Sequence, residues 1–159
     1  MGRVTTLPEL EAAIAELHAN GERVAFANGQ FDLLHVGHLR YLQGARAEAD
    51  RLIVAVNDDD SVALLKGEGR PIVPATERAE LLAALDPVDF VVIFSGSSPA
   101  PLLAQLRPDV HCKGTDYGTP EKVPEYDTVR AYGGRTALVG DPKDHATRDM
   151  IATIKNLPA

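Results

Sequence analysis

The sequence lacks tryptophan and contains a single cysteine, Cys112, among its 159 residues. One cysteine cannot form an internal disulfide, which favours a reducing compartment. The sequence also lacks an apolar run of membrane length, and its N-terminus shows no apolar signal core. We therefore expect a cytoplasmic location and no association with a membrane.

Basic residues are also scarce, with 16 Lys and Arg against 23 Asp and Glu and a formal net charge of −7. Nucleic-acid surfaces need clustered cations, so we expect no nucleic-acid partner, and any bound polyanion should be small. No G-x-x-x-x-G-K-[ST] segment occurs, and no G-x-G-x-x-G follows the first predicted strand. These absences argue against a P-loop NTPase and against a dinucleotide-binding dehydrogenase.

The hydrophobic pattern predicts one α/β domain over residues 1–159, with a lead-in helix in 1–21 and a core in 23–157. Thr6 and Glu9 have the spacing of a capping box for the lead-in helix. The predicted strands are 24–27, 52–56, 90–94, 110–112 and 136–139. The predicted helices between and after them are 38–47, 61–65, 76–85, 99–106, 121–132 and 147–156. This alternation predicts a Rossmann-like, doubly wound domain with a five-stranded, mainly parallel sheet.

The most informative segment is 28–38, with the sequence NGQFDLLHVGH, which directly follows the first predicted strand. His35 and His38 are three residues apart at the start of a predicted helix. Free backbone N–H groups and the positive end of the helix dipole occur at such a start. Histidines at this position can join them around an anion, and phosphate is the natural candidate.

This segment resembles the signature of the cytidylyltransferase-like nucleotidyltransferases. The resemblance implies that His35 and His38 contact the nucleotide phosphates and stabilise the pentacovalent transition state. It also implies that Asp32 orients the loop without acid–base work. The positions that it assigns to nucleotide binding in this segment are Asn28, Gly29, Gln30, Phe31 and Gly37.

A second segment, 66–71, reads KGEGRP and follows the second predicted strand and its short helix. On its own it could be an ordinary surface turn. A similar loop in sugar-phosphate members of the family supplies a lysine to the phosphates, which implies a catalytic role for Lys66 and a supporting one for Arg70. Arg78, in the next helix, is interpreted either as structural support for this loop or as a solvated arginine.

A third segment, 113–117, reads KGTDY and follows the fourth predicted strand. It resembles the K-G-x-D-Y segment of bacterial heptose-phosphate adenylyltransferases, which implies that Lys113, Gly114 and Asp116 bind the nucleotide or its phosphates. Relatives more often have glycine where Thr115 stands. Cys112 is interpreted as a buried strand end.

Near the C-terminus, relatives usually carry a cluster of Ser and Thr that binds the triphosphate, but this chain has Ala146, Thr147 and Arg148. Thr147 is predicted either to contact the nucleotide or to cap the last helix. Arg148 could replace lost hydroxyl contacts with charge.

Three consecutive acids, Asp58, Asp59 and Asp60, could suggest a metal site, but acids before a helix are typical of N-terminal capping. We expect no protein-held metal. The Mg²⁺ that the family resemblance implies would enter with the nucleotide triphosphate.

Together the three motifs look most like the branch that makes ADP-heptose from ATP and heptose 1-phosphate, and related enzymes commonly form homodimers. A glycerol-3-phosphate cytidylyltransferase using CTP is the main alternative. An FMN adenylyltransferase and a non-catalytic nucleotide-binding regulator are further alternatives. The base specificity stays open at this point.

Overall fold

The computed structural model describes all 159 residues and is built on one six-stranded sheet. The strands are β1 (Arg3–Val4), β2 (Val24–Gly29), β3 (Arg51–Asn57), β4 (Phe90–Phe94), β5 (Val110–Gly114) and β6 (Arg135–Val139). The helices are α1 (Leu7–Ala19), α2 (Val36–Arg46), α3 (Asp59–Lys66), α4 (Ala75–Ala83), α5 (Ala100–Leu106), α6 (Tyr126–Ala131) and α7 (Thr147–Lys155). The predicted α/β class is confirmed.

Every strand pairing is parallel, and the strand order is β1-β4-β3-β2-β5-β6. The chain moves from β2 through β3 to β4 on one side and then crosses to β5 on the other. The strand order therefore reverses beside β2. In doubly wound sheets, ligands bind outside the carboxyl ends of the strands at such a reversal.

Helices cover both faces of the sheet. Leu42 of α2 and Leu82 of α4 belong to a buried cluster on one face, which also contains Val54. Leu10 of α1 and Leu103 of α5 belong to the cluster on the other face. With both faces covered, the central strands are almost continuously apolar, as β3 shows with six buried residues in succession.

The predicted number of strands was wrong, because β1 adds a sixth strand at the edge. Arg3 and Val4 pair with Phe90 and Val91 of β4. Two residues are too few to show a period of alternation, so the sequence pattern could not reveal this strand. The lead-in helix itself is present, and the Thr6–Glu9 capping box is confirmed.

The helix predicted over 121–132 is also wrong in extent. The chain forms a 3₁₀ turn at Pro120–Lys122 and then helix α6, which begins only at Tyr126. Pro124 lies between them. Proline lacks an N–H and disfavours a helical conformation in the preceding residue, and Val123 is indeed extended. None of the helices in the fold combines the length and apolarity needed to cross a bilayer.

Candidate active site

An open cleft of about 680 Å³ lies at the carboxyl ends of the central strands. It is lined by the loop after β2, the end of α3, the end of β5 and the segment between β6 and α7. Every residue that the sequence analysis assigned to the site lines this cleft except Arg78. The three motifs, separate in the sequence, therefore share one cavity.

The two signature histidines lie in contact at the start of α2. His35 is the N-cap residue, His38 is in the first turn, and their ring centroids are 3.8 Å apart with the planes inclined by 19°. Nδ1 of His38 accepts the backbone N–H of His35 at 3.3 Å. Neutral imidazole carries one hydrogen, so this bond leaves it on Nε2, where His38 can donate to a ligand.

The surroundings of both histidines favour the neutral imidazole, because they lower the pKa of each ring. The pKa of His38 is lowered to about 4, mainly by burial and in smaller part by the neighbouring His35 and Lys143. Burial also lowers the pKa of His35, assisted by the charges of His145 and Lys143. Positive charge on one of these cleft side chains therefore lowers the pKa of the histidines beside it. A bound polyanion would offset this repulsion.

Gly37, between the two histidines, is closely packed against the rings around it. A Cβ at this position would lie 3.0 Å from Cε1 and Nδ1 of His35 and 3.2 Å from Cβ of His145. The family resemblance assigns Gly37 to nucleotide binding. The structure shows that its lack of a side chain also lets the His35 ring fold back over the helix start.

Asp32 connects the signature segment to the basic loop 66–71. Its buried carboxylate accepts Nε–H of Arg70 at 2.8 Å and the backbone N–H groups of Ile72 and Val73, each at 2.9 Å. Burial alone would raise the pKa of Asp32, but these bonds and the Arg70 charge hold it below its ordinary value. The geometry agrees with the predicted loop-orienting role, since every bond orders the loop.

Arg78 is a buried connector and does not line the cleft. Its side chain is 1% exposed and donates to the carbonyl oxygens of Gln30, Asn57 and Val73 and to the carboxylate of Asp59. The interpretation as a solvated arginine is wrong, and the contacts agree with the interpretation as structural support. Arg78 ties together the segments around Gln30, Asn57 and Val73.

The acids before α3 have different roles. Oδ1 of Asp58 accepts the backbone N–H of Ser61 at 2.9 Å, so the predicted capping is confirmed there. Asp59 does more than cap, because its Oδ1 accepts the backbone N–H of Ala75 as well as the Arg78 guanidinium, both at 2.8 Å. Lys66 ends the same helix with an exposed side chain at the cleft and no ion pair within the protein.

Lys113 and Asp116 approach the cleft from the end of β5. Burial lowers the pKa of Lys113, while the carboxylates of Glu125 and Asp116 oppose this shift. Its Nζ lies 5.6 Å from the ring centroid of Tyr117. A Cβ on Gly114 would come within 2.7 Å of Oδ1 of Asp116, so the Asp116 carboxylate lies directly against the Gly114 backbone. Cys112 is buried, as predicted, and burial raises its thiol pKa to about 12.

Thr147 does not cap α7, because the N-cap residue is Ala146. Its hydroxyl donates to the carbonyl oxygens of Asp32 and Leu33 at 3.2 and 3.4 Å. The capping alternative is therefore wrong, and the hydroxyl ties the last helix to the signature segment. Arg148 is largely exposed at the cleft edge, with Nε 3.9 Å from the carboxylate of Asp149.

Lys143, His145 and His111 were not assigned to the site by the sequence analysis, and the first two line the cleft. Lys143 and His145 line the cleft from the segment after β6, where Lys143 lies 3.4 Å from Asp116 and the His145 ring centroid lies 6.1 Å from that of His35. Their position after a strand, at the carboxyl edge of the sheet, was the available signal. His111, inside β5, contacts Asn28 and gave no signal beyond its residue type.

The carboxylates at the cleft are each engaged by a cation or a histidine. Asp32 pairs with Arg70, Asp116 with Lys143, Asp141 with Arg40 and Asp144 with His145. The fold contains no group of three or more His, Cys, Asp or Glu side chains arranged to hold a metal ion.

The fold is a parallel doubly wound sheet, and its cleft holds two stacked histidines at a helix start, which is an arrangement suited to an anion. The family model described as cytidylyltransferase-like matches residues 26–154. The chain therefore belongs to the cytidylyltransferase-like family, as the signature indicated.

Among curated proteins, the chain is similar to the bifunctional protein HldE of Azotobacter vinelandii, at 48% identity over 155 residues, which is 98% of this chain. HldE of Alkalilimnicola ehrlichii is 49% identical over the same share. In both comparisons the match covers 32% of the relative, so the chain spans about a third of the length of these proteins.

Solved structures with the same fold are more distant in sequence. A lipopolysaccharide core biosynthesis protein from Thermoplasma volcanium has a TM-score of 0.66 at 23% identity, covering 77% of this chain and 100% of that one. A pantoate-beta-alanine ligase from Francisella tularensis, bound to a nucleotide analogue and beta-alanine, has a TM-score of 0.66 at 14% identity, covering 100% of this chain and 74% of that one. These likenesses support the fold.

Proposed function

We propose that this domain is an adenylyltransferase that transfers AMP from ATP to heptose 1-phosphate, releasing pyrophosphate and forming ADP-heptose. The observation that carries the proposal is the stacked pair His35–His38 at the start of α2, inside a cleft that also receives Lys66 and Lys113. Membership of the family supports nucleotidyl transfer, and identity near 48% to HldE proteins supports the heptose branch.

In the proposed reaction a phosphate oxygen of the sugar phosphate attacks the α-phosphorus of ATP. The bond from that phosphorus to the bridging oxygen breaks, and pyrophosphate leaves with the electron pair. Charge develops on the phosphoryl oxygens, so the enzyme must supply donors and cations rather than a nucleophile. His38 would donate through Nε2, His35 would donate beside it, and Lys66 and Lys113 would neutralise the phosphates.

Nucleotide binding is assigned to the backbone and side chains that line the cleft beside the histidines. Gly29, Gln30, Phe31 and Gly37 belong to the end of β2, the loop after it and the helix start. Gly114, Asp116 and Thr147 line the cleft from the end of β5, the turn after it and the start of α7. Arg70 and Arg148 would add positive charge at the rim. Asp32 and Arg78 would hold the loops in position.

Mg²⁺ fits this site only as a companion of the triphosphate. The carboxylates of the cleft are committed to Arg40, Arg70, Lys143 and His145, so phosphate oxygens and water would provide most of its ligands. When bound, the ion would neutralise charge on the leaving pyrophosphate. A cytoplasmic location and a homodimer stay predictions.

The direct test is pyrophosphate release by purified protein with Mg²⁺, using ATP or CTP against heptose 1-phosphate, glycerol 3-phosphate and FMN. We expect release with ATP and heptose 1-phosphate. Release with CTP and glycerol 3-phosphate alone would move the protein to the alternative branch. Nucleotide binding without turnover in any pairing would indicate a regulator.

A matched pair of variants connects the activity to the site. His38→Ala should lower kcat by about 100-fold or more, because it removes a donor to the transition state. His18→Ala is the control, since His18 is a histidine on α1 outside the cleft that pairs with Asp109. Equal activity of the two variants would contradict the assignment.

A further inference from the structure

His111 is an unexpected residue in the interior of the sheet. It lies in β5 between the buried residues Val110 and Cys112, and its own exposure is 0%. Its neighbours in register are Phe26 on β2 and Thr136 on β6. A strand covered on both faces normally carries Val, Ile or Leu at such a position.

The imidazole makes one hydrogen bond, between Nε2 and the side-chain oxygen Oδ1 of Asn28, at 2.9 Å. A carbonyl oxygen only accepts, so Nε2 is the nitrogen that carries the hydrogen. Burial lowers the pKa of His111 to about 3, which keeps the ring neutral with a single N–H. Nδ1 is therefore a bare acceptor, and it is buried without a partner.

This bond determines which end of the Asn28 carboxamide is free. Asn28 is near the end of β2, and it lines the cleft beside the signature histidines. With Oδ1 held by His111, its NH₂ group makes no hydrogen bond within the protein. The group that Asn28 can offer to a ligand is therefore a donor, and phosphoryl oxygens are acceptors.

We propose that His111 is a positioning residue of the nucleotidyltransferase site, holding the Asn28 carboxamide so that its NH₂ group donates to a phosphoryl oxygen of the bound substrates. The inference rests on the proposed function. A purely structural role explains the residue poorly, because a buried nitrogen without a partner destabilises the fold relative to an apolar side chain of similar size.

The tautomer of His111 gives a test that does not depend on turnover. In ¹⁵N-labelled protein at pH 7, we expect the imidazole shifts of His111 to report hydrogen on Nε2 and a bare Nδ1. Comparison with the His111→Gln variant identifies its signals among the five histidines. Hydrogen on Nδ1 would overturn the proposal, because Asn28 would then donate to His111 and present its oxygen to the cleft.

Steady-state kinetics test whether the orientation of the Asn28 carboxamide affects turnover. His111→Leu should keep or raise the Tm while lowering kcat/KM by about 10-fold to 100-fold, because the carboxamide is no longer held in one orientation. Asn28→Ala should show a similar loss, and the double variant should lose no more than Asn28→Ala alone. His111→Gln, which retains a donor, should restore part of the activity.

Thr136→Val is the matched control for these variants. Thr136 is the register neighbour of His111, and its hydroxyl is likewise buried without a partner, but it has no bond to Asn28. We expect a higher Tm and wild-type kcat/KM. Wild-type kcat/KM in a folded His111→Leu variant, or additive losses in the double variant, would overturn the proposal.

Failure of the proposed function would be distinguishable from failure of this inference. If the wild-type protein releases no pyrophosphate in any pairing, the adenylyltransferase assignment fails. Calorimetric binding of ATP then replaces kinetics. In that case His111→Leu and Asn28→Ala should weaken ATP binding to the same extent and Thr136→Val should not, and equal affinity of all variants would overturn the inference.

Discussion

Nε of Arg70 lies 2.8 Å from the carboxylate of Asp32, and this contact joins the signature segment to the basic loop after α3. Asp32 is 2% exposed, and its remaining acceptor positions are taken by the N–H groups of Ile72 and Val73. One side chain therefore determines how the loop carrying Lys66 meets the histidines.

Asp32→Asn should destabilise the protein by about 2 to 3 kcal/mol, because it removes the charge that compensates a largely buried guanidinium. It should also lower kcat, while the shape of the pH–rate profile stays as in the wild type. Urea unfolding and initial rates measure the two effects. Asp60→Asn is the control, an exposed acid of α3 whose loss should cost within about 0.5 kcal/mol. A changed pH profile in Asp32→Asn would indicate acid–base work.

Gly37→Ala should separate activity from stability. Alanine favours helices over glycine by up to about 1 kcal/mol, so the fold should be kept. Its Cβ would press against the His35 ring at 3.0 Å, and the ring must shift. We expect kcat/KM to fall by about 10-fold to 100-fold at unchanged Tm.

Gln43→Ala, on the exposed side of the same helix, adds an alanine without that contact and should leave kcat/KM unchanged. Wild-type activity in Gly37→Ala would mean that the orientation of His35 is not critical.

Lys66 and Arg78 should respond in opposite ways to removal of their charge. Lys66→Met should lower kcat/KM by about 100-fold with no change in stability, since the lysine is exposed and has no ion pair. Arg78→Met should cost about 3 kcal/mol or more, because it leaves buried carbonyl groups and Asp59 without their partner. Thermal unfolding and steady-state rates distinguish the two patterns. A stable Arg78→Met variant would contradict its connecting role.

Local sequence patterns predicted which segments line the cleft, and contacts between distant segments explain what they missed. The signature 28–38 carries a strand end and a helix start within one short segment, so its geometry follows from local rules. Arg78 could not be resolved in the same way, because its partners Gln30, Asn57 and Val73 come from three separate segments of the chain. Only the folded chain shows that it is buried.

The same reason applies to β1 and His111. β1 forms because Arg3 and Val4 pair with the edge of β4. The alternation of apolar and polar residues in the sequence does not reveal this pairing. His111 lies in a segment whose pattern predicts a buried strand, and that prediction is confirmed. The pattern is silent on its contact with Asn28, which is 83 residues away.

The depressed pKa values of His38 and His111 should make stability fall in mild acid. Their unfolded forms take up a proton near pH 6.5, whereas the native pKa values are about 4 and about 3. As pH falls below 6.5, the unfolded state binds protons that the native state does not, so the free energy of unfolding decreases. This stabilisation is fully present above pH 6.5 and is lost progressively as pH falls toward the native values.

His111→Leu removes the larger of these two effects. Between pH 7 and pH 4.5, its free energy of unfolding should fall by about 2 to 3 kcal/mol less than that of the wild type. Urea unfolding at both pH values measures the difference. Thr136→Val changes the same neighbourhood without a titratable group and should follow the wild-type pH dependence. An identical fall in His111→Leu and wild type would mean that His111 takes up its proton in the native state, which requires a partner for Nδ1.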